Sequence, residues 1–196
     1  MRNHNYLSRA ELLGLGFAAV GEDVRVHPTC VLVGCERIWL GSHVRIDPFC
    51  IVTIGVRLVV GDRVHLSGRV TVAGAGPIEI GDHANISHGA TLLSSSDDFA
   101  AAAMAGPLVP DEFRRVDTSP VVVGRHAIVG AGAVLLPGAT VGEGATIGTL
   151  SLVKHAIPPW TVNAGIPART VGRRDRDGVL ALEHEFLKIT APASHD

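Results

Sequence analysis

The chain has 196 residues, 46% hydrophobic, 4% aromatic and 18% charged, with a formal net charge of −2 at neutral pH. That length holds one domain with a sizeable core, and a core so poor in aromatics has to be built from Val, Ile, Leu and Ala. The near-neutral charge argues against nucleic acid or an anionic membrane as partner, and no run of about 18 apolar residues is present to span a bilayer.

Cys30, Cys35 and Cys50 contain no Cys-x-x-Cys pair and read as small buried hydrophobes rather than a disulfide or metal set. The N-terminal stretch has neither the apolar run nor the small-residue cleavage site of a signal peptide, so a cytoplasmic location is expected.

In chain order, residues 1–19 form an N-terminal cap. Within it, residues 6–16 read as a short helix: Ser8 and Glu11 have capping-box spacing, Leu7, Leu12 and Leu13 supply an apolar side, and Gly14 and Gly16 end it. From residue 20 to 158 one pattern dominates. Val20-Gly21-Glu22-Asp23-Val24 recurs at twenty-residue intervals as Leu40-Gly41-Ser42-His43-Val44, Val60-Gly61-Asp62-Arg63-Val64 and Ile80-Gly81-Asp82-His83-Ala84. Hexapeptides nested in coils of about three describe an all-β solenoid, a parallel β-helix. Stacking aligns Val24, Val44, Val64 and Ala84 in one inward column, and Cys30, Cys50, Val70 and Ala90 in another. Glycine at the second position is expected to permit corners whose backbone angles strain residues carrying a Cβ.

The twenty-residue coils carry two residues beyond three plain hexapeptides, which predicts a bulge at one corner. Residues 94–120 then lose the pattern and read as a loop excursion from one corner, a length that in a compact domain usually serves function. Regular hexapeptides resume at Val123-Gly124-Arg125-His126-Ala127 and continue to Ser151, eighteen residues to the coil. Residues 159–196 form a closing segment, with a terminal helix over 178–188 and the last eight residues loose.

These hexapeptides, the long loop and the ending Ala164-Gly165-Ile166-Pro167-Ala168 resemble the left-handed β-helix acyltransferases, most of all their galactoside and maltose O-acetyltransferase branch. The resemblance implies a homotrimer with active sites between neighbouring prisms and acetyl-coenzyme A as co-substrate, with no metal. It implies a small-molecule acceptor, a sugar or sugar-like hydroxyl. For the coenzyme it points to Gly130, Ala131, Gly132 and Gly148 beside the pantetheine arm, and to Ser151, Lys154, Arg169 and Arg173 for its phosphates.

Direct attack on a thioester calls for a base, usually histidine near neutral pH. Where the galactoside branch has its loop histidine, this chain has Asp97. His65, oriented by Asp97 or Asp98, is the first candidate to replace it; His88 follows, then His126. Ser67, Ser87 and Asp98 are candidates for holding the acceptor. Alternatives are N-acylation of an amino sugar or natural-product amine, a γ-carbonic-anhydrase-like metal enzyme using the His83 and His88 pair, and a non-catalytic scaffold.

Overall fold

A computed structural model describes residues 6–100 and 102–190, so the tail histidines His4 and His195 and residues 191–196 lie outside it. The chain winds as a parallel β-solenoid of about seven turns, consistent with the left-handed β-helix expected. Face A stacks seven short strands, among them Ile38–Leu40, Leu58–Val60, Ile78–Ile80 and Val121–Val123. Face B contains Arg25–Val26, Arg45–Ile46, His65–Leu66, Asn85–Ile86 and Ile128–Val129. Face C runs from Val31–Val33 through Ile51–Ile54, Thr71–Gly74 and Thr91–Leu93 to Leu152–Val153. Ile80 pairs with Val60 below and Val123 above, so the 94–120 excursion leaves the stacking register intact.

The inward columns are those the repeat predicts. Val44, Val64, Ala84, Ala127 and Ala145 are buried along one corner, and Cys50, Val70, Ala90 and Ala133 along the next. Each large aliphatic removed from water contributes roughly 1.5–3 kcal/mol, but only with the adjacent coils in place. The three cysteines are free thiols: Cys35 and Cys50 are buried and Cys30 is half-buried.

The role expected for the repeat's glycines needs correction. The left-handed residue at the A/B corner lies two places further on, at Asp23, His43, Arg63, His83 and His126, with φ between 47° and 59°. The glycine is required by close approach instead: a Cβ on Gly81 would lie 2.7 Å from Arg125 N, and one on Gly124 equally close to Glu143 N. Coil spacing, not corner geometry, selects it.

Both ends are covered. Helix α1, Arg9–Gly14, is shorter than the 6–16 expected; its capping box is formed by Ser8 and Glu11, and it buries Leu12. At the other end Thr161–Gly165 turns back as an antiparallel hairpin with Ala168–Arg173. Helix α2, Arg176–Thr190, extends past both predicted limits and lies along the A/B corner without a fully buried residue. Among the described residues, no helix is long and apolar enough to cross a membrane.

Candidate active site

The excursion leaves the C/A corner as an antiparallel ribbon, Ser95–Asp97 against Val116–Thr118. Its root is fixed by Ser94, fully buried, whose hydroxyl donates to Gly76 O at 2.8 Å and accepts from Gly76 N at 3.1 Å. Beside the ribbon lies a cavity of about 530 Å3 lined by Asp97, Phe99, Arg115, Asp117, Pro137 and Lys154, among others. A volume of this order suits a small-molecule site. One Asp97 carboxylate oxygen accepts from Gly106 N at 3.2 Å; Asp98 accepts from Ala100 N at 2.9 Å and faces Arg115 Nε at 3.4 Å. The ribbon thus aims Asp97 at the cavity, while Asp98 braces the loop.

A second, smaller cavity of about 280 Å3 opens on the B/C corner between Asp47, Phe49, Arg69 and His88. His88 is exposed there and Ser87 half-buried, but Ser67 is only 4% exposed. The structure therefore brings Ser67, Ser87 and His88 to one corner, and Asp97, Asp98 and Lys154 to another, with face C between them.

His65 does not have the partner expected. Its Nε2 lies 2.8 Å from Asp47 Oδ2 and its Nδ1 3.1 Å from Asn85 Oδ1, so neither ring nitrogen is left for a substrate proton, and neither Asp97 nor Asp98 orients it. Asp47 also accepts from Tyr6 Oη at 2.8 Å and from Arg45 Nε at 2.7 Å. Burial alone would raise the Asp47 pKa, but hydrogen bonds from Arg45, His65 and Tyr6 outweigh it and hold the carboxyl at about 2. The network ties the N-terminal segment across three coils. Asp47 was open to detection, because it shares the first corner position with His27, Ser67 and Ser87.

The expected coenzyme set divides as well. Gly130, Ala131, Gly132 and Gly148 lie on the B/C corner, and stacking explains two of the glycines: a Cβ on Gly130 would lie 2.6 Å from Thr149 N, and one on Gly132 2.7 Å from Leu150 Cδ2. Ser151 is buried above Ala133, its hydroxyl accepting from Gly165 N at 3.0 Å, so it fastens the closing hairpin rather than meeting a phosphate. Arg169 and Arg173 lie on the hairpin's outer strand, and Lys154 lines the loop cavity on the opposite corner.

His126 is buried under α2, away from both cavities, which removes it as a base. His83 and His88 occupy different corners, which removes the carbonic-anhydrase-like pair.

A prism of stacked hexapeptides with one corner drawn out over a polar cavity is the architecture expected of the β-helix acyltransferases that the sequence resembles. The sequence model described as bacterial transferase hexapeptide (six repeats) matches residues 120–155. The dTDP-4-amino-4,6-dideoxy-D-glucose acyltransferase of Escherichia coli is 36% identical over 182 residues, 92% of this chain and 94% of its own. The chain belongs to the family of hexapeptide-repeat, coenzyme-A-dependent acyltransferases.

Among solved structures, AntD, an N-acyltransferase from Bacillus cereus in complex with dTDP and 3-hydroxybutyryl-CoA, is 33% identical, with a TM-score of 0.90 over 94% of this chain and 97% of its own. The hexapeptide-repeat acetyltransferase VCA0836 of Vibrio cholerae with acetyl-coenzyme A, at 21% identity and a TM-score of 0.62 over 86% of this chain and 79% of its own, shares the fold. The two relatives of higher identity are an amino-sugar acyltransferase and an N-acyltransferase, which corrects the placing of this chain in the galactoside and maltose O-acetyltransferase branch.

Proposed function

We propose that this chain transfers an acyl group from a coenzyme A thioester to the amino group of a dTDP-linked 4-amino-4,6-dideoxyhexose, forming an amide in the cytoplasm. O-acetylation becomes the lesser reading. The observation that carries the proposal is the pair Ser87 and Asp97, ten residues apart in this chain. AntD has been crystallised with substitutions at a serine and at an aspartate ten residues apart in its own sequence, the serine variants including complexes with dTDP-4-amino-4,6-dideoxyglucose and coenzyme A.

The chemistry accommodates a carboxylate where the O-acetyltransferases have histidine. An amine reaches the site largely as ammonium, which a carboxylate attracts and orients, and once deprotonated it is a stronger nucleophile than a hydroxyl. Asp97 takes the ammonium proton; the nitrogen lone pair then attacks the thioester carbon. The C–N bond forms, the C–S bond breaks, and the departing thiolate leaves with the proton that the nitrogen sheds. Arg115 and Lys154, lining the same cavity, supply positive charge for a nucleotide or coenzyme phosphate.

Because Ser87 and Asp97 occupy different corners of one prism, the proposal requires neighbouring chains to share each site, as a trimer allows. Exposed apolar side chains support such an assembly: Val31, Val33 and Ile51 on face C and Phe49 at its B/C edge are 41–63% exposed. The test is an assay with acetyl-CoA or 3-hydroxybutyryl-CoA as donor and dTDP-4-amino-4,6-dideoxyglucose as acceptor, following thiol release and product mass. The expected product is an amide stable to neutral hydroxylamine. Equal or faster acylation of the 4-hydroxy analogue overturns the reading.

A further inference from the structure

Helix α2 buries no residue fully, yet Glu183 on it has only 9% of its side chain exposed. It reaches the A/B corner where His83 and His126, on successive coils, stack their rings with centroids 4.9 Å apart and 25° between planes. Glu183 Oε2 is held by the Arg125 guanidinium, whose other partner is Glu143 at 3.2 Å. Glu183 Oε1 is left facing His83 Nε2 at 3.3 Å and His126 Nε2 at 3.2 Å. His126 has 9% of its side chain exposed, and its Nε2, close to the carboxylate but off the line a hydrogen bond needs, has no hydrogen-bond partner.

Two imidazoles converging on one carboxylate oxygen are a poor hydrogen-bonding group but a good ligand set. Zinc donors at about 2.0–2.1 Å from the ion, arranged tetrahedrally, stand roughly 3.3–3.4 Å from one another. Both histidine-to-carboxylate distances match such an edge, and the three ligand atoms lie within 4.8 Å of one another. The remaining direction opens on a cavity of about 310 Å3 lined also by Arg174, Leu182 and Phe186, with room for a water as fourth ligand. Arg174 is engaged elsewhere, donating to His126 O at 2.6 Å and Gly144 O at 3.1 Å.

We infer that His83, His126 and Glu183 form a divalent transition-metal site, suited to zinc, that fastens helix α2 to the side of the prism. The site lies apart from both acyl-transfer cavities, so its role is structural. It does not depend on the proposed acceptor.

The test uses the full chain without a histidine tag, stripped with chelator and titrated with zinc by calorimetry and with cobalt by visible absorption. One equivalent per chain, the intense absorption of tetrahedral cobalt, and a melting temperature that rises until one equivalent has been added are expected. Glu183→Gln and His126→Gln should each weaken binding by at least about tenfold, since even outer-shell partners of a metal are worth that much. His83→Gln, on a half-buried ring, serves if His126→Gln fails to fold. Exposed His155, on the C/A corner, provides the control, and His155→Gln should bind as wild type. Sub-stoichiometric binding, octahedral cobalt spectra, or affinity unchanged in Glu183→Gln would overturn the inference.

Discussion

Chains carrying Ser87→Ala and chains carrying Asp97→Asn should each be nearly inactive alone and active when mixed. Ser87 begins the corner after face B, and Asp97 lies in the ribbon at the following corner, with Thr91–Leu93 of face C between them. Three extended residues span about 10 Å, so the two side chains of one chain cannot meet at one reacting nitrogen. In a closed threefold ring each site pairs Ser87 of one chain with Asp97 of its neighbour. An equimolar, randomly assembled mixture then leaves a site intact with probability one half times one half, about a quarter of wild-type activity. Each variant alone should retain on the order of 1% or less, the usual cost of losing a proton-transfer or positioning group.

The assay is thiol release per chain after co-refolding, with the trimer confirmed by light scattering. Wild-type chains mixed with the double variant supply the converse: about a quarter of full activity if sites are shared, about half if each chain carries its own. A mixture of single variants no more active than its components would refute the shared site and the reasoning from corners.

Three further outcomes follow from the geometry. The Asp47 carboxyl has a folded-state pKa of about 2 against an ordinary 3.8, so its contribution is complete at neutral pH and is lost as pH falls from about 4 through 2. After discounting for the solvent around Arg45, Asp47→Asn should remove about 1–2 kcal/mol at pH 6 and almost nothing at pH 2, read from urea denaturation at both. His65→Gln should lower stability by about 1 kcal/mol and leave kcat/KM within about threefold of wild type; a hundredfold loss would restore His65 as base. Ser94→Ala leaves Gly76 N–H and C=O buried without their partner, costing about 1–3 kcal/mol in unfolding experiments, with KM for the acceptor rising as the ribbon loosens.

The solenoid was legible because its inward positions are dictated by stacking alone: an aliphatic at Val64 requires one at Val44 and Ala84, whatever the surface does. The excursion was legible as a break in the period, although the period by itself does not name the corner it leaves. The site was less legible because its contacts join positions with no shared period. His65 meets Asp47 eighteen residues earlier, across a corner that a reading by columns does not cross. The family resemblance points Ser151 toward a phosphate, although it stands in the inward column of Val70, Ala90 and Ala133, where a polar residue marks the junction with the cap. Asn163 repeats that signal above Ile147, its amide bonded to Thr161 and Thr170 of the hairpin. Glu183 could not be paired with His83 and His126 from sequence, because nothing in an amphipathic helix states which corner it will lie against.

The closing hairpin has a consequence for growth. Every coil presents its successor with three rows of unpaired backbone groups, so a stack of parallel coils has no intrinsic length. The reversed strand Ala168–Arg173 ends the series by pairing in the wrong direction for another coil and by presenting Arg169 and Arg173 outward. A chain cut after Gly165 would keep the prism with one bare edge, the other still covered by helix α1. Two such bare edges would be free to associate, and the last turn of this enzyme therefore sets where one molecule stops.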